Sequence, residues 1–422
     1  MDTYATMDWF KDKNLRADEL LFYACMSAFF AIPLGTAPMN ICGILAITIW
    51  LFSGKALRDL HILIRHSWFW PVLLLIILPW IGLLYSPDVT GVGLKYAKKT
   101  HYWIYAIIVA SLAVSNFKAD KLIQAYIAGL TVNSIAAMFQ IGFILRQGRP
   151  LPNDLGLGPG YTSMIVYLIV GIMVCAFYFN QSSEKRQRIY LALLMCLFFF
   201  HLIMMKGRNG YFTFLVISPL IFGHLMKRVH IFKIFFAYCL IAALMALSPA
   251  VRNQIALTVK QINLHINAPS NASWGKEYIP GEDRVWIMAN ALKVFKQHPL
   301  FGVGTGGFQT VVQQNGKPDW PLVRHPHNNF LYMAVSFGLV GVWALTWLFW
   351  ELIKNSWHLR NTLTGYFVFS STLVLFVSGF MNTQIINAGT GFLLAIATGL
   401  QEEFPRFSSH LTDTETANLS RK

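Results

Sequence analysis

"RHPHNNFLYMAVSFGLVGVWALTWLFWELI", Arg324 to Ile353, crowds an arginine, two histidines and two asparagines into its first six residues and then turns apolar, with Glu351 its one later charge. From Asn329 to Ile353 the run exceeds the roughly 20 residues that a helix needs to cross a bilayer. The chain around it has the same character. Its 422 residues are 55% hydrophobic and only 13% charged, with a mean hydropathy of +0.49, well outside soluble-globular averages. The fold expected is an all-α polytopic membrane protein built as one bundle.

Apolar runs between charged breaks number about twelve: Leu20 to Leu34, Met39 to Phe52, Trp68 to Tyr85, Tyr102 to Val114, Leu122 to Leu145, Tyr161 to Phe179, Ile189 to Met205, Tyr211 to Met226, Val229 to Leu247, Asn329 to Ile353, Thr362 to Met381 and Ile385 to Leu400. Several, the second and fourth above all, are shorter than a full span. With the N-terminus inside, 19 of the 34 lysines and arginines fall in inner segments and seven in short outer loops. That asymmetry puts both termini in the cytoplasm, because Lys and Arg resist translocation. The first sixteen residues mix both charge signs and no small-residue cleavage site follows, so the first span is expected to stay as an anchor.

Four regions follow: spans one to nine over 1–249, a long outer loop over 250–325, spans ten to twelve over 326–407, and a polar tail, 408–422, read as disordered. The loop reads as structured. Val251, Ile255, Val259, Ile262 and Ile266 keep helical spacing, as do Val285, Met288, Leu292 and Phe295, which predicts two amphipathic helices at the membrane or the bundle mouth. "GVGTGG", Gly302 to Gly307, lacks the Lys-Ser/Thr ending of a phosphate-binding loop and reads as a flexible turn with weak anion-binding potential.

Composition also excludes. The net charge of +15 suits loops facing anionic head groups, and no basic cluster sits in a nucleic-acid-binding module. The five cysteines fall inside apolar runs without CxxC spacing, so neither disulfide nor metal site is indicated. No acidic DxD-like motif occurs in the loop, whose acids are Glu277, Glu282, Asp283 and Asp319. Neither a metal nor another cofactor is expected.

Three polar features share the outer face: "KGRNG" at Lys206 to Gly210, "GEDRVW" at Gly281 to Trp286, and the opening stretch. Arg208 stands at the N-terminal end of a span, where the helix dipole disfavours a cation. It either snorkels or bonds a neighbouring carbonyl, or it grips an anion with its planar fork. Arg284 heads the second loop helix and is open to the same two readings, with Glu282 and Asp283 as local partners. His327 and His325 either cap the tenth span or supply a base, since a helix N-terminus keeps imidazole neutral. Gly338 and Gly341 form a GxxG that more often permits close packing than chemistry.

His327 and Asn328, nine residues, then Gly338 and Gly341 resemble the histidine motif of the O-antigen ligase family. Arg208 in "GRNG" resembles the arginine motif of the wider ligase and polymerase superfamily, with Gly207 where serine is common. "DRVWIMANALKVFKQHPLFGVGTGGF" resembles its second signature, with Arg284 on the arginine. The resemblance implies a GT-C-type glycosyltransferase with a helical periplasmic loop between spans nine and ten, in the inner membrane of a Gram-negative bacterium. It would move O-antigen polysaccharide from undecaprenyl diphosphate to the lipid A-core oligosaccharide, with Arg208, Arg284 and His327 catalytic and no metal required. Asn328, Lys98, Lys99, Arg146, Arg149 and Arg324 are the remaining substrate-binding candidates, the lysines and the first two arginines for acceptor phosphates. The alternatives are an O-antigen polymerase or a protein O-oligosaccharyltransferase and, from another class, a lipid-linked sugar flippase, which needs a polar path through the bundle.

Overall fold

The computed structural model describes residues 2–113, 119–205, 207–225, 249–267, 284–314 and 324–403, with isolated positions between 236 and 247. Its described elements are helices joined by turns, with no strand among them. In chain order they are α1 (Asp2–Ala31), α2 (Thr36–Phe52), α3 (Lys55–Arg58), α4 (Leu60–Leu63), α5 (Phe69–Ile81), α6 (Leu94–Lys98), α7 (Ile104–Ala113), α8 (Ala119–Arg146) and α9 (Tyr161–Gln181). There follow α10 (Lys185–Met204), α11 (Arg208–Leu225), α12 (Pro249–Asn267), α13 (Arg284–Gln297), α14 (Gly307–Gln314), α15 (Asn329–His358), α16 (Leu363–Ser378) and α17 (Ala388–Gly399).

By length and composition five of these helical segments can cross a membrane: Ala17–Leu34 and helices α8, α9, α10 and α15. A sixth is formed if α2 and the Lys55–Leu63 segment, bent by 73°, count as one span, and α5, α16 and α17 are shorter apolar helices. Eleven of the runs read from sequence coincide with a described helix. The ninth, Val229 to Leu247, lies largely outside the described residues, as does the tail 408–422.

Helix α9 is the most enclosed of the spans, with 83% of its apolar window buried. It packs against α10, α11 and α16, which explains why its sequence is apolar on every face rather than on one. At another point of the bundle Lys55, 1% exposed, pairs with Asp18 at 2.5 Å. It is a buried charge held by a partner, as an apolar surrounding demands.

Helix α15 is broken at Gly338, where φ is 63° and ψ −151°, a conformation that an L-residue adopts only under strain. The segment from Pro299 to Gly306 enters the break. Leu339 N–H donates to Pro299 O (2.8 Å), Val303 N–H to Val335 O (2.8 Å) and Gly304 N–H to Ser336 O (3.0 Å). Backbone groups freed by the break are thus satisfied inside the protein, the condition for irregular chain at membrane depth. A Cβ on Gly338 would lie 2.2 Å from the carbonyl carbon and oxygen of Leu300, so the first glycine of the GxxG serves close approach, as its spacing suggests.

The same contacts correct the reading of Gly302 to Gly307 as a flexible, weakly anion-binding turn. Thr305 N–H donates to Gly82 O (3.1 Å) and its hydroxyl to Pro79 O (2.6 Å), while Ser86 Oγ donates to Thr305 O (2.8 Å). The N–H groups of residues 303 to 305 are committed to α5 and α15 and cannot cradle a phosphate.

Both loop helices form where expected, with one correction. Helix α13 buries Trp286, Ile287, Ala291 and Val294 against Val303, Phe308, Val312 and Val335, and leaves Leu292 44% exposed. The inserted segment and α15 select this face, a tertiary choice that spacing within the helix does not contain. On α12 Val251 is buried, while Ile255, Val259 and Ile262 remain exposed, leaving an apolar edge of the kind that lies in a membrane interface.

Candidate active site

The turn that follows α16, Gly379 to Asn382, gathers the candidate residues. Asn329 N–H donates to Gly379 O (2.7 Å), Asn328 Nδ2 to Phe380 O (3.0 Å) and Arg284 Nη1 to Met381 O (2.8 Å). His327 Nδ1 lies 3.4 Å from Asn382 Oδ1. Immediately before the turn, Asn209 Nδ2 donates to Ser378 Oγ (2.8 Å), which ties the Arg208 segment to the same element. One short connection therefore registers α11, α13 and α15 against each other.

Arg208 opens α11 as expected, half-buried. Its Nη1 donates to Thr258 Oγ1 of α12 at 3.1 Å, one contact that holds a cation at an end where the helix dipole opposes it. Arg284 opens α13 largely buried. Burial, then the neighbouring Arg208, push its guanidinium below its ordinary range, while Tyr161 at the head of α9 acts the other way. The two arginines, far apart in sequence, are within electrostatic reach of each other.

His327 has φ 50°, the one non-glycine residue with positive φ among the described residues. Such backbone is disfavoured, though less for His than for most residues, and here the flanking cap over-determines it. Asn328 Oδ1 accepts from Leu331 N–H (3.0 Å), so this asparagine is the N-cap of α15. Its amide nitrogen donates to Phe380 O as well, so both ends of the side chain are engaged within the protein.

The hydrogen bonds of Asn382 assign the tautomer of His327. Asn382 Oδ1 accepts from Thr383 N–H at 2.9 Å, which fixes the amide with its oxygen toward the imidazole. An oxygen can only accept, so Nδ1 carries the proton and Nε2 carries the free lone pair. Burial, then the charge of Arg284, push His327 down to about 4, with the Asn382 contact acting in the opposite direction. His325, whose ring centroid is 4.5 Å from that of His327, is pushed down to about 3 by burial, then His327, Lys99, Arg284 and Arg324. Both imidazoles are neutral near pH 7.

Lys99 joins this group through His325 and Arg324. Its Nζ sits 5.1 Å from the centroid of the Tyr96 ring, and burial, then Lys95 and Arg324, lower its ammonium. Lys98, one residue away, is exposed, as are Arg146 and Arg149 at the end of α8. These three make no hydrogen bond or ion pair with the cluster among the described residues. Lys206 lies outside the described residues. No group of three or more His, Cys, Asp or Glu suited to a metal ion occurs among the described residues.

Sequence reading missed Asn382 and the turn around it. Its signal is present: Asn382, Thr383 and Gln384 are at most 4% exposed yet polar, between two apolar runs, and buried polar groups in a bundle need a purpose. The chemistry open to the arrangement is the transfer of a proton to Nε2 of a neutral imidazole beside two guanidiniums that favour a developing anion.

No curated protein matches the chain. A family model described as O-antigen ligase matches residues 191–346, a segment that includes Arg208, Arg284, His327 and the broken helix around Gly338. Over this segment the chain is similar to the O-antigen ligase family.

Proposed function

We propose that the protein is the ligase itself, transferring polysaccharide from undecaprenyl diphosphate to the lipid A-core oligosaccharide. It works on the periplasmic side of a Gram-negative inner membrane, as a twelve-span enzyme of GT-C type with both termini in the cytoplasm. The observation that carries the reading is the convergence of Arg284 and His327 on one turn, Met381–Asn382, with Arg208 within electrostatic reach of Arg284.

The acceptor hydroxyl attacks the anomeric carbon, the bond from that carbon to the diphosphate oxygen breaks, and the electron pair leaves with the diphosphate. Arg208 and Arg284 stabilise that charge in a poorly solvated site, where each donor counts for more than in water. The hydroxyl proton passes to His327 Nε2 and from there to the leaving diphosphate or solvent. Direct attack inverts the anomeric centre. The guanidiniums supply the positive charge that a metal provides in metal-dependent transferases.

The test is transfer by the purified full-length protein given lipid-linked glycan and either core lipopolysaccharide or a second lipid-linked glycan, with and without EDTA. Consumption of core lipopolysaccharide, insensitive to EDTA and abolished in Arg208→Ala, Arg284→Ala and His327→Ala, is the expected result. Elongation of the lipid-linked glycan instead identifies a polymerase. Near-normal turnover in all three variants removes the site.

A further inference from the structure

Helices α8, α9 and α10 have the length and polarity of membrane spans, yet they do not close on one another along their whole length. Between them lies a cavity of about 390 Å³. Its α8 wall is Gln124, Ile127, Ala128 and Thr131, which keep the i, i+3, i+4, i+7 spacing of one helix face. Gln187, Tyr190, Leu191 and Leu194 form the α10 wall with the same spacing. Each wall opens with a glutamine near the start of its helix and is apolar beyond it, because the Thr131 hydroxyl is spent on Ile127 O (2.8 Å). Cys175 and Tyr178 of α9 make the floor, and the deep end is closed where Ser134 Oγ and His201 Nδ1 meet at 3.2 Å. The mouth is remote from the candidate active site. Thr162 O, in the first turn of α9, accepts from Gln384 Nε2 near that site (3.4 Å), and Tyr178 lies about 24 Å further along the helix axis. Ala128 and Tyr190 are exposed, so the groove opens sideways at hydrocarbon depth, where acyl chains and not water are the solvent.

Charge at the mouth selects which lipid enters. Lys121 Nζ donates to Gln124 Oε1 (3.4 Å) and Gln124 Nε2 to the Tyr178 hydroxyl (3.5 Å). On the opposite wall Arg188, the neighbour of Gln187, lays its guanidinium carbon 4.5 Å from the ring centroid of Phe179, the residue after Tyr178. A continuous run of contacts thus joins the two cations across the floor. Asp120 and Glu184 are near in sequence, but no carboxylate is paired with Lys121 or Arg188 among the described residues. Arg188 also stands in the first turn of α10, where the helix end disfavours a cation and favours an anion. A phosphate between Lys121 and Arg188 answers both charges, as in other basic pockets between spans that hold anionic head groups.

We propose that the groove binds one phosphatidylglycerol-class phospholipid from the half of the bilayer opposite the active site. One acyl chain lies between α8 and α10, the glycerol esters meet Gln124 and Tyr178, and the phosphate sits between Lys121 and Arg188. A lipid that binds only the folded protein stabilises it by mass action. The inference is independent of the transfer reaction.

The experiment titrates the full-length protein in detergent with phosphatidylglycerol or phosphatidylcholine of equal chain length and counts bound lipid by native mass spectrometry. Thermal unfolding is followed in parallel. The wild type is expected to bind one phosphatidylglycerol about thirtyfold more tightly than phosphatidylcholine, the effect of two basic residues at about fivefold each. Lys121→Gln/Arg188→Gln should bring the two lipids to parity. Lys185→Gln/Arg186→Gln, which removes the same charge at the same helix end without touching the groove, should keep the preference. Ala128→Phe fills the groove and should abolish both the tight site and the rise in unfolding temperature that phosphatidylglycerol gives the wild type. Equal binding of the two lipids by the wild type, an equal loss in the Lys185→Gln/Arg186→Gln control, or unchanged binding in Ala128→Phe overturns the proposal. All five substituted positions are exposed, and the lipid-free unfolding temperature reports that each variant folds.

Discussion

Replacing Arg284 by methionine separates the stability of the site from its chemistry. The substitution removes one charge-assisted hydrogen bond, from Nη1 to Met381 O at 2.8 Å, at a loss of about 1.5–3 kcal/mol. It also removes a buried cation depressed by desolvation and by its neighbour Arg208, and relief of a buried charge that has no carboxylate partner among the described residues is worth a few kcal/mol in the opposite direction. Methionine fills similar volume and adapts its shape. The two effects nearly cancel, so the ligand-free protein should unfold at or slightly above the wild-type temperature. Transfer behaves differently, because one donor to a developing oxyanion contributes about 2.7–4 kcal/mol, roughly 10²–10³ in kcat. Thermal unfolding followed by size-exclusion chromatography, alongside single-turnover transfer, measures both. Loss of activity accompanied by a large fall in unfolding temperature would show that Arg284 is a structural strut, and near-normal turnover would remove it from the mechanism.

Further outcomes follow from the same geometry. Asn382→Ala frees His327 to take the wrong tautomer and should lower kcat by about 10²–10⁴, the range of a general base, with donor KM little changed. Asn382→Asp, which places a carboxylate on Nδ1, should raise the His327 pKa and move the acid limb of kcat/KM to higher pH; an unmoved limb would show that the contact has no electrostatic role. In the wild type that limb should fall near pH 4 rather than 6.5, since His327 sits at about 4 and the base must be neutral. Arg284→Met removes a charge that depresses it and should shift the limb upward. Stability follows the same protons: both histidines are depressed when folded, so the stability of the resting protein is full above about pH 6.5 and is lost as pH falls toward 4 and then 3. Finally, Gly338→Ala forces an L-residue to φ 63° against the Leu300 carbonyl and endangers three hydrogen bonds across the break. A destabilisation of about 3–6 kcal/mol follows, detectable as a lowered unfolding temperature. Wild-type stability in that variant would refute the account of the broken helix.

Composition and apolar spacing alone determined that this chain is a helical membrane protein, because the bilayer imposes one length and one polarity on every segment that crosses it. Helix ends were legible for the same reason, and Arg208, Arg284 and His327 stood out as ionisable groups at helix ends, although position alone left each open to a structural reading and only the family resemblance suggested a catalytic one. What pattern could not reach was assembly. The buried face of α13, the insertion of Pro299–Gly306 into α15, and the pairing of Lys55 with Asp18 are contacts between segments distant in the chain, and helical periodicity carries no information about which neighbour an apolar face meets. Asn382 is the sharpest case. By itself it is one polar residue in a turn, and it acquires a role only when tertiary packing sets its oxygen, already engaged by Thr383 N–H, against the ring of His327. Side-chain identity supplied the chemical groups, and only the fold decided which proton each of them holds.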